Sequence, residues 1–253
     1  FEYVGDSPAD MKVWRAAAAA SHVGGGLRRT QAIERAGAKV VACFPRRGGD
    51  LSAWRKAMRL HQWAKNILIF VTPVLSMRIL EPDILVKCLI ALPLLGLLAS
   101  GTYILNDLLD LKADRRHHSK RARPFASGAI KLWQGFVAAP ALIAAGLAGG
   151  AWLSAPFFVL MLAYLAITLS YSLVLKRAPL LDVMVLGFLY TLRLIMGGVL
   201  ASAPITHWLL VFSMFLFVSL SLAKRHVEVG RKAAAGERRL ANRGYRAEDG
   251  PLT

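Results

Sequence analysis

Six times along this chain an apolar run approaches the ~20 residues an α-helix needs to cross about 30 Å of hydrocarbon. The runs fall at Asn66–Met77, Ile84–Leu105, Gly135–Ser154, Phe157–Leu175, Val183–Ala201 and Trp208–Ala223, the first short and broken by Pro73. Backbone in lipid must satisfy its own N–H and C=O groups, which restricts such a chain to a bundle of spanning helices. The expected fold class is therefore all-α, a multi-pass transmembrane bundle of about six spans beginning near residue 51. A mean hydropathy of +0.46 with 56% hydrophobic residues agrees, being too apolar for an ordinary soluble domain.

The formal charge of +17 raises the question of a nucleic-acid partner, and the placement of the cations answers it. Residues 1–65 hold twelve Lys and Arg, 106–134 seven, 176–182 two and 224–253 eight, against two in 78–87 and none in 155–156 or 202–207. Six crossings put every rich stretch on one side. The positive-inside rule makes that side the cytoplasm, so the expected partner is the bilayer and no nucleic acid. A bacterial inner membrane is the expected location. Cys43 and Cys88 lie far apart with no partners at zinc spacing, so neither a disulfide framework nor a structural metal is implied.

On that side, at the end of the second run, stands the one gathering of carboxylates: Asn106-Asp107-Leu-Leu-Asp110-Leu-Lys-Ala-Asp114. Positions i, i+3 and i+7 share a helical face, so the three charges repel unless a cation sits among them. All-oxygen ligation suits a hard ion, and Mg2+ takes one or two carboxylates while keeping waters and substrate phosphates. The candidate metal ligands are Asp107, Asp110 and Asp114, and the expected cofactor is Mg2+ with a diphosphate-bearing substrate. Arg115, Arg116, Lys120, Arg121 and Arg123 follow at once, cations able to pair with phosphate oxygens.

Three other polar groups fall on or near the same side. Tyr171-Ser172-Leu-Val-Leu-Lys176-Arg177-Ala-Pro-Leu-Leu-Asp182 joins the fourth and fifth runs. Asp182, an acid entering a span, needs a partner or a cation. Arg193, eleven residues on and nearly on the same helical face, stands mid-span, where a guanidinium must face the bundle interior or a polar cavity. Lys224-Arg225-His226-Val-Glu228 closes the sixth run. His117, His118 and His226 read as interfacial polar residues, the span methionines as core filler, and Gly197-Gly198 as a close helix contact.

Residues 1–45 do not read as membrane. Phe1–Val4 is expected as a strand, Ala9–Ala20 and Leu27–Ala36 as helices and Ala38–Phe44 as a second strand, the alternation of an α/β unit. Val4-Gly5-Asp6-Ser7-Pro8-Ala9-Asp10 resembles the last acidic motif of haloacid dehalogenase-like phosphatases. That resemblance makes 1–45 the C-terminal remnant of such a domain, with 46–50 as linker and no activity of its own. The opening at Phe1 reads as a fragment.

The Asn-Asp-x-x-Asp-x-x-x-Asp run at the end of a span resembles the first aspartate-rich motif of the UbiA superfamily of intramembrane prenyltransferases. The resemblance covers about 51–253 and implies a helical bundle of about nine spans, three of them beyond this chain. It also implies Mg2+ at Asp107, Asp110 and Asp114, catalytic carboxylates there and at Asp182, and a lipid substrate. Where the aromatic prenyltransferases carry a second Asp-x-x-x-Asp, this chain has Tyr171, Lys176 and Asp182. That pattern, with Lys224, Arg225 and Glu228, looks more like the decaprenyl-phosphate phosphoribosyltransferase branch. Asn106, Lys120, Arg121, Arg123 and Arg193 complete the implied substrate-binding set. The resemblance thus implies phosphoribose transfer from phosphoribosyl pyrophosphate to a polyprenyl phosphate. Prenyl transfer from a polyprenyl diphosphate to an aromatic acceptor is the enzymatic alternative, and a transporter-like protein the non-enzymatic one.

Overall fold

The computed structural model describes residues 1–24, 26–44, 51–178 and 180–234; the expected linker 46–50 and the basic tail after 234 lie outside them. Strand β1 (Glu2–Gly5), helix α1 (Met11–Trp14), strand β2 (Ala19–Val23), helix α2 (Gly26–Arg35) and strand β3 (Lys39–Phe44) form a parallel sheet in the order β1-β2-β3. The helix expected over Ala9–Ala20 therefore stops at Trp14, and its last two residues belong to the central strand. Alanine's helical preference is a weak prior that strand pairing on both sides overrides. Asp10 accepts from the Tyr3 hydroxyl at 3.0 Å and from the backbone N–H of Asp6 and Ser7 at 2.9 and 2.8 Å.

Helix α3 (Leu51–Ala57) leads to a 3-10 helix over Leu60–Phe70 and helix α4 (Val71–Leu75). Then come α5 (Pro82–Leu109), α6 (Leu111–Arg116), α7 (Leu132–Leu153), α8 (Ala155–Leu173), α9 (Leu181–Leu200) and α10 (His207–Ala234). Among the described residues five helices, not six, are long and apolar enough to span: α5, α7, α8, α9 and the His207–Gly230 part of α10. The expected first span is instead the 3-10 helix plus α4.

That segment still traverses the bundle, as its partners show in turn. Arg59 meets Asp107 near the C-terminal end of α5, Trp63 donates to Ser100 at 3.0 Å, and Asn66 donates to the Leu92 carbonyl at 3.4 Å. Farther on, Thr72 donates to the Leu194 carbonyl at 2.8 Å, and Arg78 donates to the carbonyls of Ala201 and Ser202 at the end of α9. At about 2.0 Å rise per 3-10 residue and 1.5 Å per α residue, it covers about 30 Å, a hydrocarbon thickness.

Small residues admit this segment. A Cβ on Gly96 would lie 2.5 Å from the Trp63 ring, and one on Gly197 would lie 1.9 Å from the Ile69 carbonyl oxygen. The sequence expectation of a close contact at Gly197 holds, with the 3-10 segment as the neighbour. Helices α5 and α9 form the inside of the bundle, with 50% and 61% of their apolar windows buried against 17%, 22% and 6% for α7, α8 and α10. Polar side chains that must avoid lipid are accordingly concentrated on α5 and α9.

Candidate active site

Helix α5 ends at Leu109, and Asp110 (φ −86, ψ 5) is the joint to α6. This joint divides the three aspartates. Asp107 and Asp114 are buried and share Arg123, whose guanidinium Nη1 lies 3.1 Å from Asp107 Oδ1 and 2.7 Å from Asp114 Oδ2. Asp107 Oδ1 also receives Arg59 Nη2 at 2.7 Å. Asp110 faces the other way, with Asn106, into a cavity of about 220 Å3. There Lys176 Nζ lies 3.0 Å from Asp110 Oδ2, and Asn106 Nδ2 donates to the same oxygen at 3.3 Å.

The repulsion that the sequence pattern implies is therefore relieved by the protein's own cations. Asp107 Oδ2 and Asp114 Oδ1 take no hydrogen bond among the described residues. Nor do any three His, Cys, Asp or Glu side chains there form a cluster able to hold an ion alone. Two spare carboxylate oxygens and an adjacent polar cavity are what an ion held by one or two carboxylates and completed by phosphate oxygens requires. The residues fit Mg2+.

The cavity runs inward between α5, α8 and α9. Its cationic lining is Arg59, Lys65, Lys120, Arg123, Lys176 and Arg193, and the one carboxylate among its lining residues is Asp110. With Asp107 and Asp114 counted behind the wall, six cations face three carboxylates, and the excess favours anionic ligands. Tyr103, Tyr164, Tyr171 and Tyr190 supply the aromatic wall. Deep in the cavity Arg193 donates to Asn66 Oδ1 at 3.2 Å, the Leu189 carbonyl at 2.6 Å and the Tyr164 hydroxyl at 2.9 Å. A mid-span guanidinium is thus placed facing a polar interior.

Asp182 sits behind this wall, not on it. It is fully buried, accepts from the Tyr171 hydroxyl at 2.6 Å and pairs with Arg225 Nη2 at 2.6 Å. Arg225 in turn holds Glu228 at 2.5 Å. The partner that the acid requires comes from α10, whereas Arg193, on its own helix, is engaged elsewhere. Arg121 and Lys224 are exposed, outside the cavity lining, and are not brought to the site.

Besides Tyr103, Tyr164, Thr168 and Tyr190 of the cavity wall, sequence reasoning missed two cations of the site, Arg59 and Lys65. Both lie in a stretch whose basic amphipathic pattern reads as a membrane-surface anchor. Arg59 has φ 52, ψ 46, the left-handed region that costs a non-glycine residue about 1–2 kcal/mol. No sequence signal marks that turn, which aims its guanidinium at Asp107 and across the Tyr103 ring, 4.8 Å from the centroid.

A family model, the UbiA prenyltransferase family, matches residues 67–246. The chain is 42% identical over 254 residues to uncharacterized protein y4nM of Sinorhizobium fredii, covering all of this chain and 49% of that protein. It is 33% identical over 178 residues to decaprenyl-phosphate phosphoribosyltransferase of Mycolicibacterium smegmatis, covering 69% of this chain and 56% of that one. The chain thus spans about half the length of these relatives. Among solved structures it is similar to a UbiA homolog from Archaeoglobus fulgidus bound to GPP and Mg2+, with a TM-score of 0.59 and 20% identity over 73% of this chain and 66% of that one. That likeness concerns the fold.

Proposed function

We propose that this chain, which belongs to the UbiA prenyltransferase family, is the core of a Mg2+-dependent transferase that moves phosphoribose from phosphoribosyl pyrophosphate to a polyprenyl phosphate. Membership makes it an integral membrane enzyme of the transferase class. The finer reading rests on one observation above others: Lys176 stands over Asp110 and Asn106, where an acid would be needed to share metal ions. An amine there adds positive charge for a donor with a phosphate besides its diphosphate, and the likeness to decaprenyl-phosphate phosphoribosyltransferases supports the same donor. The cation-rich ends support a site on the cytoplasmic face, and a bacterial inner membrane is the location proposed for it.

In this reading an oxygen of the lipid phosphate attacks the anomeric carbon, the bond from that carbon to the diphosphate breaks, and the diphosphate leaves with the electron pair. Asp107 and Asp114, with Asp110 on the cavity side of the helix joint, would hold Mg2+, which when bound would neutralise charge on the leaving diphosphate. Arg123 and Lys176, which the fold gathers at the aspartates, and Lys120 beside the cavity turn to its outer oxygens and stabilise them. Asn106 orients Asp110 and Lys176 together. Tyr171, held by Asp182, keeps the wall between α8 and α9 in place. Asp182 is then a positioning residue, and Arg225 and Glu228 act through it. We further propose that residues 1–45 are the end of a haloacid dehalogenase-like domain, on the strength of their parallel β–α–β order and the Val4–Asp10 segment.

The test supplies full-length protein with labelled phosphoribosyl pyrophosphate and polyprenyl phosphate in one tube, and with prenyl diphosphate and an aromatic acid in another. Product in the first tube is expected, with Lys176→Ala raising the KM for phosphoribosyl pyrophosphate more than that for the lipid. Product in the second tube alone would refute the reading in favour of aromatic prenylation.

A further inference from the structure

Three of the cavity's six cations are committed to the aspartates: Arg59, Arg123 and Lys176. Of the rest, Lys65 and Arg193 lie together around one ring. Lys65 Nζ is 5.7 Å and the Arg193 guanidinium carbon 5.3 Å from the centroid of Tyr190. Neither meets a carboxylate among the described residues. The hydrogen bond that Lys65 makes is a long one, 3.5 Å to Gln62 Oε1, and the three acceptors of Arg193 are all neutral. Thr168, one helical turn from Tyr164 on α8, lines the same cavity, buried, and its hydroxyl has no hydrogen-bond partner among the described residues.

An uncompensated guanidinium that is 4% exposed is costly unless an anion completes it. The aspartate end cannot supply that anion. Asn66, which accepts from Arg193, lies seven residues along the 3-10 segment from Arg59, which holds Asp107, about 14 Å at 3-10 rise. A diphosphate held at Asp107–Asp114 is therefore a separate group from whatever meets Arg193. Two cations and a free hydroxyl match a phosphate monoester, which carries about −1.5 to −2 near neutral pH and offers three acceptor oxygens. A carboxylate would leave one cation unmatched.

We infer that Lys65, Arg193 and Thr168 form a second anion subsite that takes a phosphate monoester. The inference rests on the proposed reaction, which brings two such groups to the cavity: the headgroup of the lipid acceptor and the 5-phosphate of the donor. The subsite is built for their common chemistry, and binding measurements assign it to one or the other.

The experiment titrates full-length protein in detergent with farnesyl phosphate, ribose 5-phosphate and, as a control for the apolar chain, farnesol, in EDTA and without turnover, by calorimetry. The parent is expected to bind at least one monophosphate, and Lys65→Met and Arg193→Met each to weaken that binding at least tenfold while farnesol is unaffected. Loss in the farnesyl phosphate arm assigns the subsite to the acceptor, and loss in the ribose 5-phosphate arm to the donor. Lys65 is half-buried with one weak hydrogen bond, so Lys65→Met tests the idea even where Arg193→Met fails to fold. Monophosphates bound by Lys65→Met within threefold of the parent, or not bound by the parent at all, would overturn it. No metal, diphosphate or product enters this measurement, so its failure is distinct from a failure to transfer phosphoribose.

Discussion

Splitting the Asp182–Arg225 pair should destabilise the bundle far more than removing it whole. The two side chains are 0% and 4% exposed and 2.6 Å apart, and they tie α9 to α10. Removing one partner takes from the other, buried charge its counter-ion at 2.6 Å, a cost of about 3–5 kcal/mol. Asp182→Leu and Arg225→Met should each fall in that range. The double variant strands the Tyr171 hydroxyl, at about 1–3 kcal/mol, and releases Glu228, which is 39% exposed and regains water. The double variant should therefore cost about 1–3 kcal/mol, against about 6–10 kcal/mol if the singles simply added. Unfolding in mixed micelles with increasing sodium dodecyl sulfate, followed by far-UV circular dichroism, reads all four proteins. A double variant whose loss equals the sum of the singles within about 0.5 kcal/mol would show that the pair is not coupled, and the assignment of Asp182 to a positioning role would fall with it.

Asp107→Ala and Asp110→Ala should each abolish transfer by full-length protein without preventing membrane insertion; activity within threefold of the parent, a barrier change of only ~0.7 kcal/mol, would exclude these carboxylates as transition-state ligands. Cysteine labelling in a background without Cys43 and Cys88 should show Ser119→Cys and Ser154→Cys on opposite sides of the membrane, and an impermeant reagent outside cells that labels Ser119→Cys and spares Ser154→Cys would invert the topology. In the sheet unit, the Ser7 backbone N–H, with the Tyr3 hydroxyl and Asp6 N–H, holds the Asp10 carboxyl below the usual carboxylate range. Its contribution is complete above that range and lost as pH falls through the lowered value, so the acid transition reported by Trp14 fluorescence should flatten in Asp10→Asn.

The spans and the aspartates were legible because each rests on a local signal: uninterrupted hydropathy for α5 and α7–α10, and like charges at helical spacing for Asp107, Asp110 and Asp114. What escaped depended on contacts distant in sequence. The strand Ala19–Val23 is set by β1 and β3 on its two sides, and the five alanines of 16–20 give no hint of it. The 3-10 course of Leu60–Phe70 is set by the grooves at Gly96 and Gly197, which lie on two other helices. Arg59 and Lys65 read as surface anchors since a basic amphipathic stretch has the same pattern on a membrane and beside a cavity. For Asp182 the need for a partner was plain, but only the packing of α10 on α9 identifies Arg225.

The site pairs each motif aspartate with a cation of the protein, so in the proposed reaction loading would be an exchange in which Mg2+ competes with guanidinium and ammonium groups for the carboxylates. Once the diphosphate arrives, the displaced cations have anionic oxygens to turn to, so metal and diphosphate should bind cooperatively and the metal alone weakly. Arg123 tests this, because it touches both Asp107 and Asp114. Arg123→Met should bind Mn2+ alone more tightly than the parent, by about tenfold or ~1.4 kcal/mol, since one competing charge is gone. The same variant should bind diphosphate in the presence of Mn2+ less tightly, since one phosphate partner is also gone. Electron paramagnetic resonance of free Mn2+ across the two titrations reports both numbers without turnover. If Arg123→Met lowered affinity for the metal alone, Arg123 would be organising the carboxylates for the ion and not competing with it, and the exchange model would be wrong.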